Sequence, residues 1–312
     1  MQVIVHLGAH RCATTSFQDY LRFNASALAE KGLEVWGPDR TRHGLYHGIL
    51  PEPSVTPAAK GAKRAKGRLK MRLDQSCSAG VKQLLISDEN MMGSMRENLR
   101  LGGLYDGIGE RLARFHEAFD GRVSTLAVNL RSLEAYWTSV LTYAVARGHG
   151  VPTGRQLDRL LESTRSWRDV LTDIACSMPG VDIRVLPFET FGGRPEVQLE
   201  LLTGLKGPRE SARMRHAASP RLEELRAMMS TSAARALPDG EGRWRPFDEV
   251  QTAALRERYA DDLMWLAAGA DGLSQIRLMN DPDKQAAGDN PLQNDLTRGR
   301  PHDEDRRLAG SG

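Results

Sequence analysis

Met1-Gln-Val-Ile-Val-His-Leu-Gly-Ala-His-Arg-Cys-Ala-Thr-Thr-Ser-Phe-Gln-Asp-Tyr-Leu21 opens the chain, and its reading decides the fold. The apolar run at residues 3–7 is long enough for a buried strand, and Gly8 ends it. After Thr14-Thr15-Ser16, the apolar side chains Phe17, Tyr20, Leu21 and Leu28 recur at helical intervals. A strand, a tight loop and a helix follow from that spacing. The first turn of such a helix leaves backbone N–H groups without intrahelical partners, at the end where the helix dipole favours an anion. Thr14, Thr15 and Ser16 add hydroxyl groups and Arg11 adds a full charge on a bidentate fork, so a phosphate is the natural tenant. The next apolar stretch, Gly32-Leu-Glu-Val-Trp36-Gly-Pro38, reads as a short strand closed by turn residues. A βαβ beginning of this kind predicts an α/β protein with a mostly parallel sheet covered by helices on both faces.

The phosphate-loop signature of nucleoside triphosphatases requires Gly, four residues, Gly, Lys, then Ser or Thr. Laid from Gly8, the chain has Ala13 for the second glycine and Thr14 for the lysine. What the stretch resembles is the donor loop of the sulfotransferase superfamily, in which Lys, a small residue, Gly, Thr and Thr follow a strand. Arg11, Cys12, Ala13, Thr14 and Thr15 occupy those places, with Arg for Lys and Ala for Gly as departures. The resemblance implies that residues Ala9, His10, Arg11, Cys12, Ala13, Thr14, Thr15 and Ser16 cradle the 5′ end of 3′-phosphoadenosine 5′-phosphosulfate. It also implies a three-layer sheet architecture related to the P-loop fold.

Two further stretches carry the same resemblance. The strand in residues 122–131 finishes on Arg131, and Ser139 lies eight residues on, about two turns into the following helix. A buried strand rarely ends on an arginine without a partner. In the family, an arginine and a serine so spaced bind the donor's 3′-phosphate. The strand in residues 82–90 ends in Ser87-Asp88-Glu89-Asn90, at the rim where open α/β sheets form their ligand crevice. By resemblance Glu89 is the base that activates the acceptor, provided burial or Asp88 raises its pKa. A weaker match to a late basic segment of the family adds Arg213 and Arg215 as donor-binding candidates, and the Phe188-Glu189-Thr190 element resembles one recurrent in bacterial members.

Other features have blander readings. His43 and His47, four apart, suit solvated or capping roles better than chemistry, though either is an alternative base. No third ligand accompanies them, and no metal site is expected. Residues 60–72 hold seven basic residues and no acidic one, a solvated helix face or a docking surface for an anionic partner. Nucleic acid is not expected, since no interleaved aromatics or recognisable module accompany the run. Trp137 and Trp167 are expected as core anchors. Helices are expected at residues 103–120, 154–163, 166–178, 194–205 and 220–237. A last amphipathic helix should bury Val250, Leu255, Tyr259, Leu263 and Leu266.

The totals bound the rest. The chain has 312 residues, 40% hydrophobic and 27% charged, with Lys plus Arg exceeding Asp plus Glu by 43 − 40 = 3. The surplus is too mild to argue for a nucleic-acid partner globally. Three scattered cysteines, an early first strand and no membrane-length apolar run lead to the expectation of a reduced, cytoplasmic protein without a transmembrane segment. One α/β domain is expected over residues 1–270, helical from 219, with a disordered tail over 280–312.

The leading functional expectation is therefore a sulfotransferase that moves a sulfuryl group from 3′-phosphoadenosine 5′-phosphosulfate to a hydroxyl or amine, releasing adenosine 3′,5′-bisphosphate. The acceptor, whether glycan, glycolipid or small metabolite, is not legible. Two alternatives stand beside it. One is a P-loop kinase using a nucleoside triphosphate and Mg²⁺ held by Thr15 and Asp88. The other is a relative of the sulfotransferases that binds nucleotide or glycan without turnover.

Overall fold

A computed structural model describes residues 1–50, 58–213 and 219–282. The chain from Met1 to Leu278 forms one compact unit. Its centre is a six-stranded sheet in the order β2-β3-β1-β4-β5-β6, with every pair parallel. The strands are β1 (Gln2–Gly8), β2 (Leu33–Trp36), β3 (Gln83–Ser87), β4 (Val123–Leu130), β5 (Asp182–Pro187) and β6 (Ile276–Leu278).

Successive strand residues face opposite sides, so an uninterrupted buried run means that both faces are covered. Residues 3–8 of β1 and 125–130 of β4 are such runs. Helices packed over both faces make this a three-layer α/β arrangement.

The expected helices at residues 154–163 and 166–178 appear as Gly154–Glu162 and Trp167–Ser177, each opened by a capping box, from Thr153 and Ser166. Three expectations change. The helix expected over 103–120 begins only at Ile108, because the backbone of Tyr105 is left-handed and breaks the helical path before it. The helix expected over 220–237 is two pieces, Leu222–Ala227 and Thr231–Ala234, because Ser230 caps a new start by accepting from the Ala233 amide. Val250 is 79% exposed at the start of the last helix, Glu249–Ala267, whose core contacts come from Leu255, Tyr259, Trp265 and Leu266. The sixth strand was not read from the sequence at all.

Trp137 and Trp167 are buried, and Cys12 is a core residue rather than a surface thiol. Among the described residues no helix is long and apolar enough to cross a membrane. The basic segment lies on the helix Ala58–Ser78, where Lys60, Lys63, Arg64, Lys70 and Arg72 are exposed and Lys66 pairs with Asp120 at 2.7 Å. Residues 283–312, most of the expected tail, lie outside the described residues.

Candidate functional site

The carboxyl ends of β1, β3, β4 and β5 lie on one rim of the sheet, because all four strands run the same way. They deliver Gly8 and the loop after it, Asp88 with Glu89, Arg131, and Phe188 with Glu189. Above them opens a cleft of about 1000 Å³ lined by His10, Arg11, Thr15, Glu89, Arg131 and Ser139 among others. The three stretches singled out in the sequence thus share one cavity.

The first loop is tightly wound. Gly8 is left-handed, and a Cβ there would lie 2.6 Å from Thr14 Oγ1 and 3.3 Å from the Glu89 Cβ, so only glycine fits. Arg11 and Ala13 are also left-handed, at φ 63° and 60°. Each costs about 1 kcal/mol more than glycine would, so the backbone stores strain at the cleft. Cys12 N–H and Thr14 Oγ1 both donate to the Ala9 carbonyl, at 3.3 and 3.0 Å. Ala9 and Cys12 are buried and do not line the cleft; burial pushes the Cys12 thiol up to about 12. Ala13, Thr14, Thr15 and Ser16 do line it. Ala13 supplies no side-chain cap to the helix Thr14–Phe23, whose first turn lines the cleft.

Arg11 and Arg131 meet. Arg131 Nη1 donates to the Arg11 carbonyl at 2.8 Å, and Arg11 Nε donates to Ser139 Oγ at 2.9 Å. Arg11 Nη2 donates to Ser219 Oγ at 3.0 Å, and Ser139 and Ser219 share a hydrogen bond of 3.0 Å. The Arg131 guanidinium lies over the Phe188 ring at 4.3 Å, a packing that requires glycine at 192, where a Cβ would strike the ring. Trp167 Nε1 fixes the Arg131 carbonyl at 2.8 Å. The carboxylates nearest to Arg131 are committed elsewhere: Glu134 to Arg256, and Glu189 to the Ser132 amide and the Tyr259 hydroxyl. No carboxylate among the described residues forms an ion pair with Arg131, and its Nε has no hydrogen-bond partner. The buried Thr138 hydroxyl, also lining the cleft, has none either. Burial, with Arg131 as the nearest like charge, lowers the pKa of Arg11, and burial lowers that of Arg131; both stay cationic, since arginine ionises far above neutral pH.

The carboxylates at the other end are arranged oppositely. Asp88 accepts from Thr41 Oγ1 at 2.5 Å, from Arg42 Nε and Nη2 at 3.1 and 2.8 Å, and from the Asn90 amide at 3.1 Å. Glu89 accepts from Arg42 Nη2 at 3.0 Å and from Gln18 Nε2 at 2.9 Å. Burial pushes the Glu89 pKa up, but its own backbone N–H, Gln18 and Arg42 outweigh that and hold the carboxyl below the usual carboxylate range. The raised pKa that the sequence reading required of a base is not what this geometry gives, because Arg42 stands between the two carboxylates.

Several contributors were not legible. Arg42 lies in the segment Thr41–Leu45 and belongs to no motif; His43 Nδ1 pairs with the Asp39 carbonyl, and neither His43 nor His47 lines the cleft. Gln18, one helical turn beyond Thr14, and Ser219, far along the chain, carried no motif. Beneath the loop, His6 is buried between Ser87 Oγ (2.8 Å) and Asn129 Oδ1 (2.7 Å), and burial lowers its pKa to about 4. Arg215 and the side chain of Arg213 lie outside the described residues. Among the described residues no group of three or more His, Cys, Asp or Glu could hold a metal ion.

Comparison with protein-family models, curated proteins and solved structures finds no match to this chain.

Proposed function

We propose that the cleft binds 3′-phosphoadenosine 5′-phosphosulfate and that the protein is a sulfotransferase. The observation that carries this reading is the junction of Arg131 with the first loop. Two stretches 120 residues apart, each resembling one end of a donor site, are joined by the 2.8 Å bond from Arg131 to the Arg11 carbonyl. A partly buried guanidinium whose neighbouring carboxylates are occupied favours an exogenous anion, as does its unpartnered Nε. The donor set, two arginines, hydroxyls and helix-opening amides without a carboxylate on Arg131, fits a doubly phosphorylated nucleotide.

When bound, the donor supplies an activated sulfuryl group on a phosphate leaving group. Arg11 and the opening of the helix Thr14–Phe23 neutralise charge on that phosphate. Arg131 and Ser139 hold the second phosphate and thereby set the reacting end in place. Glu89 accepts the proton of the acceptor hydroxyl or amine. With its pKa held down by its own backbone N–H, Gln18 and Arg42, it is a weak base.

That last point favours a second reading, a binding protein without turnover. Arg11, already engaged by Ser139 and Ser219, and the low pKa of Glu89 both suit it. The kinase alternative is weakened because the oxygens of Asp88 are taken by Thr41 and Arg42, leaving a cation where Mg²⁺ would need its ligand. Thermal shift with adenosine 3′,5′-bisphosphate, against ATP with and without Mg²⁺, separates these readings. Stabilisation by the bisphosphate without metal is expected. Stabilisation by ATP only with Mg²⁺ contradicts the proposal, and turnover of labelled donor distinguishes enzyme from binder.

A further inference from the structure

His10 sits at the bend of the first loop, 7% exposed and lining the cleft. Its surroundings form a directed chain of hydrogen bonds. Asn98 Nδ2 donates to the Tyr136 hydroxyl at 2.8 Å, and Tyr136 donates to the Tyr105 hydroxyl at 3.4 Å. The His10 backbone N–H also donates to the Tyr105 hydroxyl, at 3.1 Å. A phenol has one proton and two lone pairs. With both acceptor places used, the Tyr105 proton is left for its shortest contact, His10 Nδ1 at 2.9 Å. Nδ1 therefore accepts, and the ring's own proton belongs on Nε2, which reaches Asn90 Oδ1 over a long 3.3 Å.

Tyr105 is held in place at a cost to its backbone. A bulky side chain at φ 48° is an outlier, and such outliers persist where surrounding contacts over-determine them. Here the Tyr105 amide donates to Asn98 Oδ1 at 3.1 Å, and Arg165 Nη2 donates to the Tyr105 carbonyl at 3.2 Å. Asn98 thus fixes both the Tyr105 backbone and the direction of the chain through Tyr136.

We infer that the Asn98–Tyr136–Tyr105 relay locks His10 as a neutral imidazole protonated on Nε2, and that this proton exchanges its long bond to Asn90 for the anion in the cleft, so that His10 is a donor there and not a base. The anion half of this rests on the function proposed above; the tautomer half does not. The charged groups facing His10 are Glu89 and Asp88, which favour its protonation, and Arg42, which opposes it; burial outweighs them and lowers its pKa. Tyr105 and Tyr136 are themselves kept protonated by burial. Tyr105 is a positioning residue, acting through His10.

The test is long-range proton–nitrogen correlation of the ¹⁵N-labelled full chain, with His10 signals assigned by their loss in His10→Gln. The expected ligand-free spectrum shows a bare Nδ1 and a protonated Nε2, unchanged down to about the ordinary imidazole pKa of 6.5. A protonated Nδ1, or His10 titrating at the ordinary value, overturns the inference. Tyr105→Phe should raise the His10 pKa and mix its tautomers; if that variant does not fold, the wild-type spectrum still decides. Adding adenosine 3′,5′-bisphosphate should move the Nε2 proton signal while Nδ1 stays bare. Binding that leaves the signal unmoved overturns the donor role. Absence of any binding defeats the proposed function and the donor role together, while the ligand-free tautomer is read independently.

Discussion

Arg131 and the Asp88–Glu89 pair occupy equivalent places, each at the carboxyl end of a strand beside β1, yet their charges are handled in opposite ways. Asp88, whose side chain is 2% exposed, is met on both oxygens by Thr41 and Arg42, and Glu89 by Arg42 and Gln18. Arg131 has no carboxylate among the described residues in an ion pair with it, while Glu134 and Glu189 bond to Arg256 and Tyr259. A buried charge left without a counter-ion is costly, so a fold retains one where a ligand supplies the partner. The carboxylate end is already complete and behaves as a latch joining β3 to the loop at residues 41–42. The arginine end is incomplete.

Substitutions at the two ends should separate them. Arg131→Ala should weaken adenosine 3′,5′-bisphosphate binding by about 2–4 kcal/mol, roughly 30- to 1000-fold, while the unfolding midpoint without ligand hardly changes. An unaltered affinity would remove the basis for reading Arg131 as a ligand contact.

His6, beneath both ends, should dominate the acid sensitivity of the fold. Its folded pKa of about 4 lies below the ordinary 6.5. The unfolded chain therefore binds more protons between those values, and stability is complete above about pH 6.5 and falls as pH drops toward 4. The loss is about 3 kcal/mol in denaturant melts, and His6→Asn should flatten that window. A wild-type profile as flat as the variant's would contradict the burial argument.

Arg42→Ala should cost about 2 kcal/mol of stability, discounted from a fully buried pair because the Arg42 side chain is 38% exposed. It should also raise the Glu89 pKa, since a cation is removed from the carboxylate. If Glu89 is the base, the acid limb of activity moves to higher pH in this variant. Ser139→Ala is the mildest change, removing one partner of Arg11, and should weaken bisphosphate binding by about 1 kcal/mol in titration calorimetry. A loss as large as that of Arg131→Ala would mean that Ser139, not the arginine, organises that end.

The amino-acid sequence by itself determined the central strands β1, β3 and β4 and the rim they share. The short runs at residues 3–7, apolar but for His6, and 84–86 read as strands buried on both faces, and parallel strands send Gly8, Asp88 and Arg131 to the same edge. The loop and its helix were legible for the same local reason: glycine, hydroxyls and helical spacing act over a few residues. Only the tertiary structure decided which charges are neutralised. Arg42 reaches Asp88 across 46 residues, Ser219 reaches Arg11 across 208, and Tyr105 reaches His10 across 95. Ion pairs and relays between distant segments leave no periodicity, so whether Glu89 is a strong or weak base, and His10 a base or a donor, is fixed by through-space contacts that spacing along the chain does not encode.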